Sequence, residues 1–274
     1  LLEAAVLSAT PPDERAAVAA RTLYVDTVIG KMSGVITDPD ELRRRDLSTI
    51  TSALDLAFLV EEFDRILVSR AGAGLHPGMP VLREVDDLAP FEDAKLLGHN
   101  ATHALAGFLG SVLGLALVAD LRDVDGAMAF LRAAFLEESG AVLRRRWTGS
   151  DPLFTEDGYS AFADDLLERM VNPYLADTIE RAARDPRRKL GWDDRLIGLI
   201  RMGLATGVPT PRYAMGVAAG LEVLRRSEAG TDEELLRTCW PDDVPDAEVG
   251  TICATVAAAR SGLEEWRGHG ISAR

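Results

Sequence analysis

Residues 94–110 read AKLLGHNATHALAGFLG, an apolar run that is broken by a few polar side chains, among them Lys95, Asn100 and His103. The apolar character continues to residue 119 without the alternation of a half-buried strand. This pattern predicts a buried helix from residue 93 to about residue 121. A helix of this length and character can form the centre of a helical domain.

Lys95, Asn100 and His103 share one broad face of that predicted helix. At 100° per residue, Lys95 and His103 lie about 80° apart, and Asn100 lies about 60° beyond His103. Polar groups in apolar surroundings cost free energy unless they are paired or functional, and burial lowers the pKa of a lysine. Such a lysine can accept an alcohol proton while an amide and an imidazole hold the oxygen. The pattern therefore favours the interconversion of an alcohol and a ketone without a metal.

Two other interpretations of these residues stay open. Lys95 lies near the start of the helix, where its ammonium group can reach water, and His103 can be a core histidine with satisfied hydrogen bonds. His99 and His103 are four residues apart, which also suits a metal ion, but no cysteine or other convincing third ligand lies nearby. We therefore predict that the site holds no metal.

Proline, glycine and acidic residues divide the rest of the chain into further predicted helices. The helices after the central one are expected from Asp123 or Asp125 to about Trp147 and over residues 157–171, 173–185, 193–207, 232–240 and 246–266, with another that begins at Pro211. Before residue 90 we expect a helix over residues 12–29, an extended segment over 31–36, strand or helix over 55–69, a glycine-rich turn over 71–79 and a strand over 80–85. No GxGxxG motif follows a strand. The sequence thus predicts a mainly α protein with a small mixed α/β region before residue 90.

Composition excludes several classes of function. The chain has 274 residues and a net charge of −14, which disfavours nucleic acid and anionic membrane surfaces as partners. No apolar run is long enough for a transmembrane helix. The two cysteines, Cys239 and Cys253, form neither a disulfide scaffold nor a CxxC zinc motif. These features predict a protein of the reducing cytoplasm.

Two motifs carry a resemblance to a known family. The pattern Lys95-x4-Asn100-x2-His103, followed by Phe108-Leu109-Gly110, resembles the signature of the polyol-specific long-chain mannitol dehydrogenases. Residues 172–198, NPYLADTIERAARDPRRKLGWDDRLIG, are similar to the mannitol-1-phosphate 5-dehydrogenase branch. Residues 24–34, YVDTVIGKMSG, resemble the strand that follows the nucleotide domain, although the family commonly has Asp-Arg where Gly30-Lys31 stands.

The resemblance implies a fold, a reaction and a set of site residues. It implies a multi-helical domain like the C-terminal domain of 6-phosphogluconate dehydrogenase, with residues 1–90 as a connecting segment and 91–274 as the substrate-binding and catalytic domain. Lys95 would be the acid–base catalyst, Asn100 and His103 would bind the reacting oxygen, and Arg181 and Lys189 would bind substrate. Asp185-Pro186 should end the helix between the last two, so Lys189 is expected to project from the loop beyond it. Only three lysines occur in the chain, at positions 31, 95 and 189, so two of them match family site positions.

The implied enzyme oxidises a polyol or polyol phosphate with NAD, or NADP, held mainly by an N-terminal Rossmann-type domain that this sequence lacks. The isolated chain is therefore expected to bind no dinucleotide and to be inactive. The phosphate branch has Asn-x-Gly-His where this chain has Asn100-Ala101-Thr102-His103, so the choice of polyol stays open. The alternative is a catalytically inactive helical module that binds a sugar or a protein.

Overall fold

The computed structural model describes residues 2–30, 33–60, 65–70 and 78–269. Most of the predicted glycine-rich turn, the start of the predicted extended segment at residues 31 and 32, and the last five residues lie outside the described part. The chain divides into two compact units. The first comprises residues 1–31 and 62–92, and the second comprises residues 32–61 and 93–274.

The first unit contains a small mixed sheet. Its helices are α1 (Leu2–Ala9) and α2 (Arg15–Arg21), and its strands are β1 (Thr27–Ile29), β4 (Ile66–Ser69) and β5 (Leu82–Val85). The strand order is β1-β4-β5, with β1 antiparallel to β4 and β4 parallel to β5. Neither helix has a buried residue.

The predicted helix over residues 12–29 is much shorter in the structure. Helix α2 ends at Arg21, and the backbone of Thr22 is extended. Residues 25–29, VDTVI, are rich in β-branched side chains, which favour a strand over a helix because they are stiff at χ1. Residues 55–69 left strand and helix open, and the structure places β4 and β3 (Ala57–Val60) there.

The second unit holds a two-stranded antiparallel sheet and most of the helices. The sheet pairs β2 (Ser33–Ile36) with β3, with Val35 opposite Phe58. The α-helices of this unit are α3 (Pro39–Arg44), α5 (Ala101–Leu113), α6 (Ala127–Ala133), α7 (Gly140–Arg146), α8 (Glu156–Met170), α9 (Ile179–Ala183), α10 (Pro186–Lys189), α11 (Ile197–Thr206), α12 (Pro211–Leu224), α13 (Asp232–Arg237) and α14 (Asp246–His269). Helix α4 (Ala89–Asp93) belongs to the first unit except for its last residue. Two π-helical segments, Ala94–Asn100 and Ala134–Ser139, join α4 to α5 and α6 to α7.

Helix α5 lies at the centre of the helical core, as its apolar sequence predicts. Nine of its residues are buried. Glycines allow close packing on two sides: a Cβ at Gly107 would lie 2.7 Å from the carbonyl oxygen of Ala182 on α9, and a Cβ at Gly216 on α12 would lie 2.7 Å from Leu105 Cδ1. The core thus brings α9 and α12 directly against the helix that carries His103.

The central helix ends earlier than predicted. Gly114 adopts the left-handed conformation, with φ at 72°, and terminates α5 after Leu113. Glycine reaches this conformation without the steric cost of a side chain. The apolar residues beyond it form a separate 3₁₀ segment, Val118–Asp123.

The mainly α architecture with few strands confirms the predicted fold class. The other predicted helices from residue 157 onward correspond to observed ones, with ends that differ by a few residues, except for the one predicted over residues 173–185. There a short 3₁₀ segment (Pro173–Leu175) ends before Ala176, which adopts the left-handed conformation, and α9 begins only at Ile179. Residues 32–61, which fall inside the predicted connecting segment 1–90, belong to the helical unit. Among the helices of the described residues, none combines the length and the apolar character that a membrane span requires.

Candidate active site

The π-helical segment Ala94–Asn100 carries the first two predicted site residues. Lys95 and Asn100 are both half-buried, and burial lowers the pKa of Lys95. A π-helix bonds each residue to one five positions away, so each residue turns through less than the 100° of an α-helix. The angles expected from regular α-helical spacing therefore do not hold across this segment. Gly98 lies at its centre, where a Cβ would stand 2.9 Å from the hydroxyl of Tyr159.

His103 and Arg181 meet through a third residue. His103 Nε2 lies 2.7 Å from Oδ2 of Asp177, and Arg181 Nε donates to Oδ1 of the same carboxylate at 2.7 Å. The Asp177 side chain is only 6% exposed. Burial alone would raise the pKa of Asp177, but the hydrogen bonds to His103 and Arg181 lower it to about 2. The structure thus brings two predicted site residues together on one buried, ionised carboxylate.

Arg181 projects from the first turn of α9. The hydroxyl of Thr178 accepts from the Arg181 backbone N–H at 3.1 Å and caps this helix. About half of the Arg181 side chain is exposed. It lines a cavity of about 350 Å³ that lies between β2 and residues 175–181, with Glu41 and Leu117 on its walls. A six-carbon polyol is small enough for a cavity of this volume, compared with typical ligand pockets.

Lys189 lies deeper than the sequence suggested. The expectation was a side chain that projects from a loop after Pro186, but Lys189 is the last residue of helix α10 and is 4% exposed. Its Nζ donates to the carbonyl oxygen of Ala182 at 2.5 Å. Burial, together with the nearby charges of Arg195 and Arg188, lowers the pKa of Lys189 to about 8. Lys189 therefore contacts the helix that carries Arg181 from inside the core.

The five predicted residues are not joined by one set of contacts. Within residues 78–269, Lys95 and Asn100 form no hydrogen bond or ion pair with His103, Arg181 or Lys189. The buried His99 lies in the same segment as Lys95 and Asn100. Burial, together with neighbouring positive charges that include His103 and Lys95, lowers the pKa of His99 to about 3.

Two residues near the site were not singled out from the sequence. Asp177 joins His103 to Arg181, and buried Arg195 influences the pKa values of both His99 and Lys189. Arg195 Nε donates to Oδ1 of Asp194 at 2.6 Å. Both residues lie inside the motif of residues 172–198, in its Asp-Thr and Asp-Arg-Leu elements. The motif was therefore the sequence signal that could have identified Asp177 and Arg195, although residue spacing alone assigns neither of them a role.

The pair His99 and His103 was also considered as a metal site. Across the described ranges, no three His, Cys, Asp or Glu side chains are grouped as metal ligands require. His103 instead uses Nε2 for Asp177. A metal-free site remains a prediction.

Comparison with known proteins places the chain in a family. The family model for the mannitol dehydrogenase C-terminal domain matches residues 87–236, which is more than half of the chain. A structure of D-sorbitol dehydrogenase in substrate-free form superposes with a TM-score of 0.69 at 17% identity, covering 95% of this chain and 56% of that one. The Pseudomonas fluorescens mannitol 2-dehydrogenase in ternary complex with NAD and D-mannitol gives a TM-score of 0.63 at 17% identity, covering 93% and 54%.

At this level of identity the two structures show a shared fold, and the chain spans little more than half the length of either. The match to the family model carries the assignment. It covers both π-helical segments, the His103–Asp177–Arg181 contacts and Lys189. The chain belongs to the mannitol dehydrogenase C-terminal domain family.

Proposed function

We propose that this chain is the substrate-binding and catalytic domain of an NAD-dependent polyol dehydrogenase. The reaction is the reversible oxidation of a polyol, mannitol or mannitol 1-phosphate, to the corresponding ketose. The observation that carries the proposal is the buried Asp177 carboxylate, which joins His103 to Arg181 close to the segment that holds Lys95 and Asn100. Family membership supports the same class of reaction.

The cofactor belongs to a partner domain in this proposal. In the described part of the chain, no glycine-rich turn joins a strand to a helix in the way that a dinucleotide pyrophosphate requires. NAD, or NADP, is therefore assigned to an N-terminal Rossmann-type domain. A nicotinamide supplies the acceptor for the hydride that leaves the carbinol carbon. The residues of this chain handle the proton and the rest of the substrate.

Lys95 is proposed to take the hydroxyl proton during oxidation and to return it during reduction. A general base works best when its pKa lies near the working pH, and burial lowers the pKa of Lys95 in that direction. The amide of Asn100 and the imidazole of His103 are proposed to bind the reacting oxygen. Neither the Lys95 nor the Asn100 side chain has a protein hydrogen-bond partner within residues 78–269, so both side chains are available to a ligand.

Arg181 and Lys189 are proposed to bind the far end of the substrate. The exposed part of Arg181 lines the 350 Å³ cavity, where its guanidinium can contact hydroxyl or phosphate oxygens. Lys189 is proposed to act from the buried side of α9, where it adds positive charge and stabilises the helix through its hydrogen bond to the carbonyl oxygen of Ala182. Arg184 and Arg188 add further charge nearby, and each is more than half exposed.

The test is an assay of the polypeptide that joins this chain to its nucleotide-binding domain. NADH or NADPH formation would be followed with mannitol, sorbitol and mannitol 1-phosphate. Arg181→Ala is expected to cost about 2–4 kcal/mol in kcat/KM, because it removes a charge-assisted contact. The loss should be larger for the phosphorylated substrate.

Arg132→Ala is the matched control, since Arg132 pairs with Asp164 on the surface of the helical unit. It should leave kcat/KM unchanged. Equal losses on mannitol and its phosphate would mean that Arg181 does not recognise phosphate. Sugar binding without any nicotinamide reduction would instead favour a catalytically inactive module and overturn the proposed reaction.

A further inference from the structure

The Asp177 carboxylate has each of its two oxygens occupied by a different site residue. Oδ2 lies 2.7 Å from His103 Nε2, and Oδ1 accepts from Arg181 Nε at 2.7 Å. The three residues come from two elements that are far apart in sequence, since 74 residues separate His103 from Asp177. A single side chain thus sets the spacing between the imidazole and the guanidinium.

The backbone that carries Asp177 is held on both sides. The carbonyl oxygen of Asp177 accepts from the N–H of Val118 at 2.8 Å, and the N–H of Ile179 donates to the carbonyl oxygen of Ala116 at 2.9 Å. Helix α9, which follows directly, packs against α5 where Gly107 and Gly110 leave room for Ala182 and Ile179. The carboxylate therefore occupies a fixed position relative to the helix that carries His103.

The hydrogen bond to Asp177 determines which nitrogen of His103 carries a proton. An ionised carboxylate only accepts hydrogen bonds, and the pKa of Asp177 of about 2 keeps it ionised at neutral pH. Nε2 must then be the protonated nitrogen, whether the ring carries one proton or two. Nδ1 is the ring nitrogen that remains for a ligand. In the same way, Nε of Arg181 donates to Asp177, and the two terminal amino groups of Arg181 remain for a ligand.

We propose that Asp177 is a positioning residue of this site, a role that rests on the dehydrogenase function proposed above. It keeps the His103 proton on Nε2, so that Nδ1 is presented to a substrate oxygen or hydroxyl. It also holds the Arg181 guanidinium at a fixed distance from that nitrogen. A substrate that contacts both groups is therefore recognised by the spacing between its reacting carbon and its far end.

Nuclear magnetic resonance of the ¹⁵N-labelled chain tests this without any cofactor. The imidazole ¹⁵N shifts report which nitrogen is protonated, at a pH where the ring carries one proton. His103→Gln identifies the signal, and His99→Gln serves as the matched control in the preceding turn. We expect Nε2 to carry the proton in the unsubstituted chain. A His103 with its proton on Nδ1 overturns the inference, and this result needs no folded variant at Asp177.

Asp177→Asn supplies the second arm. The amide can donate to Nε2, so the substitution should shift His103 toward the tautomer with the proton on Nδ1. In the polypeptide that includes its nucleotide-binding domain, kcat for a polyol should fall at least tenfold, and KM should change by a smaller factor. Asp177→Glu should recover part of kcat. Asp164→Asn disturbs only the surface pair with Arg132. It should leave the His103 tautomer and kcat unaltered.

The two arms separate this inference from the proposed function. An active enzyme in which Asp177→Asn leaves the tautomer and kcat unaltered overturns the positioning role alone. A protein that shows the expected tautomers but oxidises no polyol before any substitution overturns the proposed function, and with it the role of Asp177 in positioning groups for that reaction.

Discussion

The two π-helical segments of the helical unit share the same backbone distortion, but they differ in how deeply their polar side chains are buried. Ala94–Asn100 carries Lys95 and Asn100, which are half-buried. Ala134–Ser139 carries Glu138 and Ser139, which are buried. Both segments interrupt longer α-helices, and they lie against each other at Gly98, where a Cβ would be 3.6 Å from Ser139 Oγ.

The difference between the segments is whether their polar groups have protein partners. The Glu138 carboxylate accepts from the backbone N–H groups of Arg212 and Tyr213 at 2.9 and 3.1 Å, which satisfies the start of α12. Ser139 pairs with the hydroxyl of Tyr159 at 2.9 Å. Lys95 and Asn100 have no such partner within residues 78–269. A π-helical segment is therefore a weak indicator of function by itself, and free polar groups on it are a stronger one.

The largest expected difference concerns activity. Lys95→Ala should lower kcat of the joined enzyme by about 10³-fold, or about 4 kcal/mol, because it removes the proposed general base. Thermal unfolding should change little, since burial of the Lys95 ammonium is unfavourable in the folded state. Steady-state kinetics and calorimetry measure the two effects. A large loss of stability with intact kcat would place Lys95 among the structural residues.

Glu138→Ala should show the reverse pattern. The substitution leaves two N–H groups at the start of α12 without their acceptor, so we expect the free energy of unfolding to fall by about 3 kcal/mol. Urea titration measures this value. The neighbouring Glu137 is the matched control, because it also pairs with Arg212, at 2.9 Å, but is largely exposed. Glu137→Ala should cost less than about 0.5 kcal/mol. Equal losses would mean that the buried carboxylate does not stabilise α12.

The sequence was sufficient for features that depend on local chemistry. The apolar run after residue 100 predicts the buried helix α5, and Pro211 begins α12 as a proline at the first helical position should. The predicted end of α5 was wrong although Gly114 is present in the sequence, because the apolar pattern continues past this glycine to Val118 and Leu121. Periodicity thus concealed a stop signal that backbone conformation imposes.

Features that depend on tertiary contacts could not be predicted. Spacing places His103 and Lys95 on one helix, but it gives no indication of the π-helical segment that alters their relative angle. The partnership of His103 with Asp177 requires α9 to pack against α5 through Gly107. For the same reason, Lys189 looks like a surface residue in the basic run of residues 184–189 and is buried in the structure.

In the first π-helical segment, His99 is a buried core residue, and its contribution to stability should depend on pH. Burial lowers the pKa of His99 to about 3, whereas an unfolded histidine titrates near 6.5. The unfolded chain therefore binds more protons below pH 6.5, and the folded state loses stability as the pH falls. By pH 5 the loss from this residue is about 2 kcal/mol.

His99→Gln should flatten the dependence of unfolding free energy on pH between 6.5 and 5. The measurement is urea titration at several pH values, and the slope matters more than the absolute stability of the variant. His103→Gln, in the first turn of α5, is the comparison. If His99→Gln keeps the full slope, His99 is protonated in the folded protein and is not a neutral core residue.

The smallest expected effect lies where the two segments touch. Tyr159→Phe removes the hydroxyl that pairs with Ser139 and faces Gly98, and a buried neutral hydrogen bond contributes about 1 kcal/mol. Ser139→Ala should cost a similar amount, and the double variant should cost less than the sum, since both single changes remove the same bond. Activity of the joined enzyme should change less than threefold, because this bond holds the second segment and touches neither Lys95 nor Asn100. If kcat instead falls as far as it does in Lys95→Ala, the packing of Tyr159 on Gly98 shapes the first segment, and the two segments form one functional unit.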